Sequence, residues 1–169
     1  IKQQQGKKIY FASDFHMGAP SLEASREREQ QIVDWLDHIS KHAQCIFLVG
    51  DIFDFWFEYK QVVPKGFIRL QGKIATLSDS GIDIYFFLGN HDMWMKNYFA
   101  EELGVTMIPN ELELDIDGKI LFVAHGDGLG PGDRGYKFVK KVFRNKFCQF
   151  LFSCLHPRIG LSLAQYFSN

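Results

Sequence analysis

Residues 45–54 read Cys45-Ile46-Phe47-Leu48-Val49-Gly50-Asp51-Ile52-Phe53-Asp54: five apolar residues, a glycine, then two carboxylates three positions apart. An apolar run without alternation suits a strand covered on both faces. The polar block after it falls at the strand's carboxyl end, where open α/β sheets bind their ligands. The arrangement recurs three times. Asp14-Phe15-His16 follows Ile9-Tyr10-Phe11-Ala12, Gly89-Asn90-His91-Asp92 follows Ile84-Tyr85-Phe86-Phe87-Leu88, and His125-Gly126-Asp127 follows Ile120-Leu121-Phe122-Val123-Ala124. Turn chemistry alone explains one or two such blocks, because Asp, Asn and Gly are common at strand ends. Four blocks made of Asp, Asn and His imply one site shared by neighbouring strands.

The segments between the blocks give the layers. Residues 8–13, 45–49 and 83–88 read as strands, and 22–42 as a helix with Ile32, Val33, Leu36 and Ile39 on one face. Pro64 to Ser80 reads as a second helix, with Pro64 in its first turn, Phe67, Leu70, Ile74 and Leu77 in register, and Gly81 as its stop. Residues 93–103 suit a short helix ending at Gly104, followed by a strand at Val105–Ile108. A hairpin of 111–116 and 119–124 is expected around Asp117-Gly118, a favoured type I′ pair. The class is α/β. Beyond 134 the rhythm changes: Tyr136, Val139, Val142, Phe143, Phe147, Phe150 and Leu151 fall at helical spacing across 134–152, and a further helix is expected from Pro157 to Phe167. The chain thus divides into a core, 1–133, and a basic aromatic helical segment, 134–169.

Composition sets the bounds. The chain has 169 residues, 46% of them apolar, enough for one domain with a proper core. No apolar run approaches the roughly 20 residues that cross a bilayer, and the polar start, Ile1-Lys2-Gln3-Gln4-Gln5, is unlike a secretory signal. Cys45, Cys148 and Cys154, scattered and odd in number, read as buried reduced thiols of a cytosolic protein. The net charge of −1 hides a split. Residues 1–133 hold all 20 acids against 12 Lys and Arg, and 134–169 hold seven cations and no acid. Such asymmetry points the C-terminal segment at an anionic partner.

Asp, Asn and His supply hard oxygens and imidazole nitrogens, a set suited to Mn, Fe, Zn or Mg. Asp14 and His16 are alternate residues and reach one ion only where the strand breaks into a loop. Asp51 has two oxygens with which to bridge two ions, Asn90 offers a neutral oxygen and His125 a nitrogen. Two metals about 3.5–4 Å apart clamp an in-line displacement at phosphorus and lower the pKa of a bridging water. Gly50, Gly89 and Gly126 let the backbone turn beside these residues. Asp54 and Asp92 have two readings, hydrogen-bonded support of the ligands or plain loop capping. His38 and His42, four apart on a helix, read as a solvated face, and Phe53, Phe55, Trp56 and Phe57 mostly as core.

Taken in order, Asp14-x-His16, Gly50-Asp51-x-x-Asp54, Gly89-Asn90-His91-Asp92 and His125-Gly126 resemble the calcineurin-like metallophosphoesterase signature. The resemblance spans nearly the whole chain. It implies a four-layer α/β/β/α sandwich, with Asp14, His16, Asp51, Asn90 and His125 as metal ligands. It also implies His91 beside the phosphate as a catalytic residue together with Asp51. Within that superfamily the chain is most similar to the UDP-2,3-diacylglucosamine hydrolases of lipid A synthesis. Gly50-Asp51-Ile52-Phe53-Asp54-Phe55-Trp56, the stretch His125-Gly126-Asp127 with Asp133 and Tyr136, and the basic aromatic helix carry that likeness. The helix resembles the group's inserted lid, which receives acyl chains and touches the membrane. The resemblance implies cleavage of the pyrophosphate of a UDP-linked diacylated sugar, releasing UMP, with two divalent ions, typically Mn. Two departures stand out. Many members have Arg where this chain has His91, and the superfamily's late Gly-His-x-His block is not found here, since His156 is followed by Pro157. The expectation is a chain lacking its C-terminal part, or else a homologue with a weakened site.

The expected function is hydrolysis of UDP-2,3-diacylglucosamine by a cytoplasmic enzyme held peripherally on the inner membrane. Asn90, His91, Asp133, Tyr136, Lys140, Arg144 and Arg158 are the expected substrate contacts, and the partners are a lipid-linked UDP-sugar and an anionic membrane surface. A phosphoesterase of soluble nucleotides or nucleic-acid ends, and a non-catalytic scaffold, are the alternatives. For the 134–152 helix itself, nucleic-acid binding and a merely solvated basic face stand beside the membrane reading.

Overall fold

The computed structural model describes residues 1–128, 130, 132, 134–157, 159, 160 and 162, with only the backbone of Arg134 and Tyr136. Four parallel strands, β1 (Lys8–Ala12), β2 (Ala43–Val49), β3 (Asp83–Phe87) and β4 (Thr106–Ile108), lie in that order in one sheet. Ile46, Leu48, Ile84 and Phe86 pack into one core with Ile32, Leu36, Ile39, Leu70, Ile74, Leu77 and Phe99. Those partners come from helices α1 (Ser25–Ser40), α2 (Ile68–Asp79) and α3 (Tyr98–Leu103). Cys45, Phe47, Val49 and Phe87, from the sheet's other face, pack against Leu112, Leu114, Leu121 and Val123. These belong to an antiparallel hairpin of β5 (Leu112–Ile116) and β6 (Lys119–Val123). Burial on both faces is the reason the β2 run is apolar throughout. The hairpin turn places Asp117 at φ 50° and Gly118 at φ 80°, the two left-handed residues of a type I′ turn. The described residues thus build helices, sheet and hairpin as three layers; the hairpin's outer face carries exposed Ile120 and Phe122.

Three helix boundaries depart from expectation, each for a tertiary reason. α2 starts at Ile68 rather than Pro64, because Gly66 (φ 108°) and Phe67 (φ 55°) turn the chain so that the Phe67 ring enters the core 5.1 Å from Phe53. No side chain of its own caps this helix; instead buried Glu29 of α1 accepts the Arg69 and Leu70 amides at 3.0 and 3.1 Å. Glu29→Ala removes a buried cap and is expected to cost about 1–2 kcal/mol in urea unfolding. α3 begins at Tyr98 rather than near 93, since residues before it pair with the Phe57 segment. Buried Glu58 accepts the Asn97 and Tyr98 amides at 3.0 and 3.2 Å. The expected 134–152 helix is two, α4 (Arg134–Phe143) and α5 (Lys146–Ser153). Asn145 breaks it by capping α5, its side chain accepting from Phe147 and Cys148. The expected 157–167 helix lies largely outside the described residues. No helix of the described residues is long and apolar enough to cross a membrane.

The cysteine expectation is corrected for two of the three. Only Cys45 is buried; Cys148 is half-buried and Cys154 exposed, because both sit on or after α5 rather than in the core. Burial pushes the Cys45 thiol up to about 11. Cys45 therefore carries about a hundredfold less thiolate than an ordinary cysteine. A thiol reagent at pH 8 is expected to label Cys154 within minutes and to spare Cys45 until the protein is unfolded. His38 is exposed on α1, as a solvated face requires. His42, also exposed, lies past the helix end at Ser40, in the turn before β2, and so shares no helix face with it.

Candidate metal centre

Each block sits where its strand ends. Beyond β1 the chain runs alongside the segment after β2: the Asp14 amide donates to Gly50 O at 3.1 Å, His16 to Asp51 O at 3.0 Å and Met17 to Ile52 O at 3.0 Å. This zipper brings both loops to one point. Asp14, His16 and Asp51 all have left-handed backbones, with φ of 59°, 44° and 52°. Three non-glycine residues in that region, all in the expected ligand set, mark strain held at a functional site.

Glycines make the approach possible. A Cβ on Gly89 would lie 2.1 Å from Asp51 Oδ1 and 2.4 Å from the Asp51 amide nitrogen. One on Gly50 would lie 2.8 Å from both Gly89 Cα and His125 Nδ1. Fully buried Asp92 fixes the same crossing by accepting the Gly89 amide at 2.7 Å and the Ile52 amide at 2.9 Å. Burial pushes its carboxyl up to about 6 against the pull of those amides. Of its two readings, loop capping is the observed one, and the loops it caps carry Asp51 and Asn90.

The side chains converge on Asp51, which is buried. Its Oδ2 lies 3.2 Å from His125 Nε2 and 3.8 Å from His16 Nε2, and its Oδ1 accepts the His91 amide at 3.0 Å. His16 Nε2 is also 3.8 Å from Asp14 Oδ1, and His125 Nε2 is 3.2 Å from Asn90 Oδ1. His125 Nδ1–H donates to Val49 O at 3.0 Å, so Nε2 is the nitrogen turned toward Asp51 and Asn90. His91 likewise donates Nδ1–H to Asp54 O at 2.9 Å, leaving its Nε2 as the free end. The Asp54 carboxylate stands between two rings, 3.8 Å from His16 Nδ1 and 3.7 Å from His91 Nδ1.

This arrangement fits divalent cations. Asp14, His16 and Asp51 bring ligand atoms within 4.8 Å of one another, as do His16, Asp54 and His91. The second group was not expected as a donor set; its His91 Nδ1 is already bonded to a carbonyl, which favours the first. Electrostatics agree. Bonding to Asp51 raises His125 to about 9, so without metal a proton holds positive charge beside that carboxylate. Burial pushes Asp51 upward, but the His125 and His91 bonds outweigh it and its pKa falls below the ordinary carboxylate value. A buried anion ringed by nitrogen and oxygen donors calls for a cation.

The expected contacts on the C-terminal segment divide. Lys140 ion-pairs with Asp127 and donates to its carbonyl at 3.0 Å, tying α4 to the loop after β6. Arg144 is exposed at the turn between α4 and α5. Asp133, Arg158 and the Tyr136 side chain lie outside the described residues. Both helices rest on the site's own loops. Trp94, just past His91, donates to Phe143 O at 2.7 Å, and the Phe152 ring stands 4.7 Å from both Trp94 and Phe57. Sequence reading missed Arg28, whose guanidinium reaches the His16 loop; a lone arginine in an amphipathic helix carries no spacing signal.

Comparison with known proteins agrees with this geometry. UDP-2,3-diacylglucosamine hydrolase of Porphyromonas gingivalis is 40% identical over 158 residues, covering 93% of this chain and 60% of the relative. The proteins of that name from Proteus mirabilis and Actinobacillus succinogenes are 32% and 29% identical, with 62% and 65% of their lengths covered. The chain thus spans somewhat under two thirds of these relatives. The description of the calcineurin-like phosphoesterase family matches residues 7–156, from the start of β1 past the end of α5 and across all four polar blocks. A family match that takes in the sheet, the hairpin and every donor gathered around Asp51 places the chain among the calcineurin-like phosphoesterases.

Proposed function

We propose that this chain is the catalytic core and lid of a dinuclear-metal hydrolase that cleaves the pyrophosphate of UDP-2,3-diacylglucosamine, giving UMP and the diacylated sugar 1-phosphate. The position of Asp51 Oδ2 between His125 and His16 carries the reading, because one carboxylate set between two donor groups is what two neighbouring ions require. Asp14, His16 and Asp51 would hold one ion, and Asp51, Asn90 and His125 the other. Manganese is the preferred metal. Bound there, the ions would supply Lewis acidity and an acidified water. With Nδ1 bonded to Asp54 O, the His91 Nε2 would be the ring nitrogen that, in the imidazolium form, donates a proton or hydrogen bond to a phosphoryl or leaving oxygen.

Residues 134–169 are read as the lid over this core. Phe138, Phe147, Phe150 and Leu151 are exposed on α4 and α5, with Lys137, Lys141, Arg144 and Lys146 exposed among them. Apolar area plus basic charge is the combination that holds helices at an anionic membrane surface. The same faces would take acyl chains, and the exposed cations would take phosphate or headgroups. The names of the relatives support this substrate.

The test is UMP release from UDP-2,3-diacylglucosamine with added Mn²⁺. Release that stops on chelation supports the proposal. No UMP, with cleavage of a simple nucleotide diester instead, makes the chain a phosphoesterase of soluble substrates. Neither activity, without metal binding, leaves the scaffold reading.

A further inference from the structure

We infer that Arg28 is a positioning residue for the metal centre: from α1 it clamps the His16 loop and so holds His16 in ligating geometry. The inference rests on the dinuclear reading above. One guanidinium nitrogen, Arg28 Nη1, lies 2.9 Å from His16 O, 3.1 Å from Phe15 O and 3.4 Å from Ala19 O. Three carbonyls converging on one permanently charged donor is not a pattern that a solvated helix face needs.

The loop it grips needs a clamp. His16 sits at φ 44°, in the left-handed region that L side chains adopt only at a cost. Its amide is held on one side by Asp51 O. Its carbonyl accepts from Arg28 at 2.9 Å and, within the same turn, from the Ala19 amide at 3.2 Å, and Arg28 alone among these donors comes from outside the loop. With both peptide groups fixed, the imidazole stands where Nε2 faces Asp14 and Asp51 and Nδ1 faces Asp54. Removing the guanidinium leaves the His16 carbonyl with only the local Ala19 bond and frees the Phe15 and Ala19 carbonyls from α1, so the turn loosens and the ring shifts. Asn90 and His125 come from other strands and are not reached by this clamp. Arg28 therefore acts on one half of the centre through His16. Lysine in its place would keep the charge, but its nitrogen ends one bond closer to the helix than Nη1 and reaches the three carbonyls less well.

A double-mutant cycle read by calorimetric Mn²⁺ titration tests this. Arg28→Ala is expected to weaken binding of one ion about ten- to a hundredfold, the range for residues that orient a ligand. Arg28→Lys is expected to recover only part of that loss. Adding Arg28→Ala to His16→Ala is expected to change affinity no further, because the clamp acts only through His16. Unfolding of the metal-free proteins, measured alongside, should show Arg28→Ala and wild type within a few degrees. Full additivity of the two substitutions, or unchanged affinity in Arg28→Ala, overturns the inference while leaving the metal centre standing. Absence of Mn²⁺ binding by the unsubstituted protein overturns the dinuclear reading and this inference with it.

Discussion

Asp51→Asn is expected to lower metal-dependent hydrolysis at least about a thousandfold and to abolish binding of a second ion. The choice of Asn matters. Asp51 sits at φ 52°, and Asn tolerates that backbone far better than Ala does, so a fold defect does not confuse the result. Asn keeps one oxygen, which can still accept the His91 amide that Asp51 Oδ1 accepts now. It loses the charge and the second anionic oxygen, the one 3.2 Å from His125 and 3.8 Å from His16. Metal stoichiometry by atomic absorption, with a kcat series in Mn²⁺, reads both effects. Two ions bound by Asp51→Asn, or activity within tenfold of wild type, would contradict the bridging role.

Gly89→Ala should do comparable damage by steric means. Its Cβ would lie 2.1 Å from Asp51 Oδ1, a separation that no rotamer change relieves, because the Asp51 backbone nitrogen stands at 2.4 Å as well. The β2 and β3 ends must separate, and the Asp92 cap that ties Gly89 to Ile52 is pulled apart with them. Overpacking at such a point costs about 3 kcal/mol. For a domain of this size that lowers Tm by about 6–12 °C. Metal binding should be lost as well. Gly72, within α2, meets nothing within 4 Å at its Cβ, and Gly72→Ala is expected to stabilise by about 0.5–1 kcal/mol. If calorimetry gave both substitutions the same small shift, the close crossing at Gly89 would be refuted.

The parts of the molecule legible in the sequence were those set by local pattern. The β2 run is apolar because two layers cover it, and the Asp117-Gly118 turn is written in the residues that tolerate it. Gly81 and Gly104 stop α2 and α3 at left-handed positions, φ 87° and 68°, as read. The four polar blocks do meet: three follow β1, β2 and β3, whose carboxyl ends share one edge of the parallel sheet, and the fourth, at His125, follows β6 of the hairpin that covers that sheet. What pattern could not carry was long-range. Nothing near Phe67 announces that Glu29, some forty residues earlier, caps its helix. The apolar period runs unbroken through Asn145, so two helices looked like one; the cap lies in the Asn side chain rather than in the period. Cys148 and Cys154 share apolar neighbours with a core residue, but those neighbours are themselves exposed. The left-handed backbones of Asp14, His16 and Asp51 follow from the zipper between two loops, which no single stretch encodes.

The central claim is that Asp51 is shared between two ions. Anomalous diffraction at the manganese edge from crystals grown with Mn²⁺ tests it directly. Two peaks about 3.5–4 Å apart are expected, both within bonding distance of the Asp51 carboxylate, one toward Asp14 and His16 and the other toward Asn90 and His125. A single peak, or two peaks of which either lies away from Asp51, would contradict it.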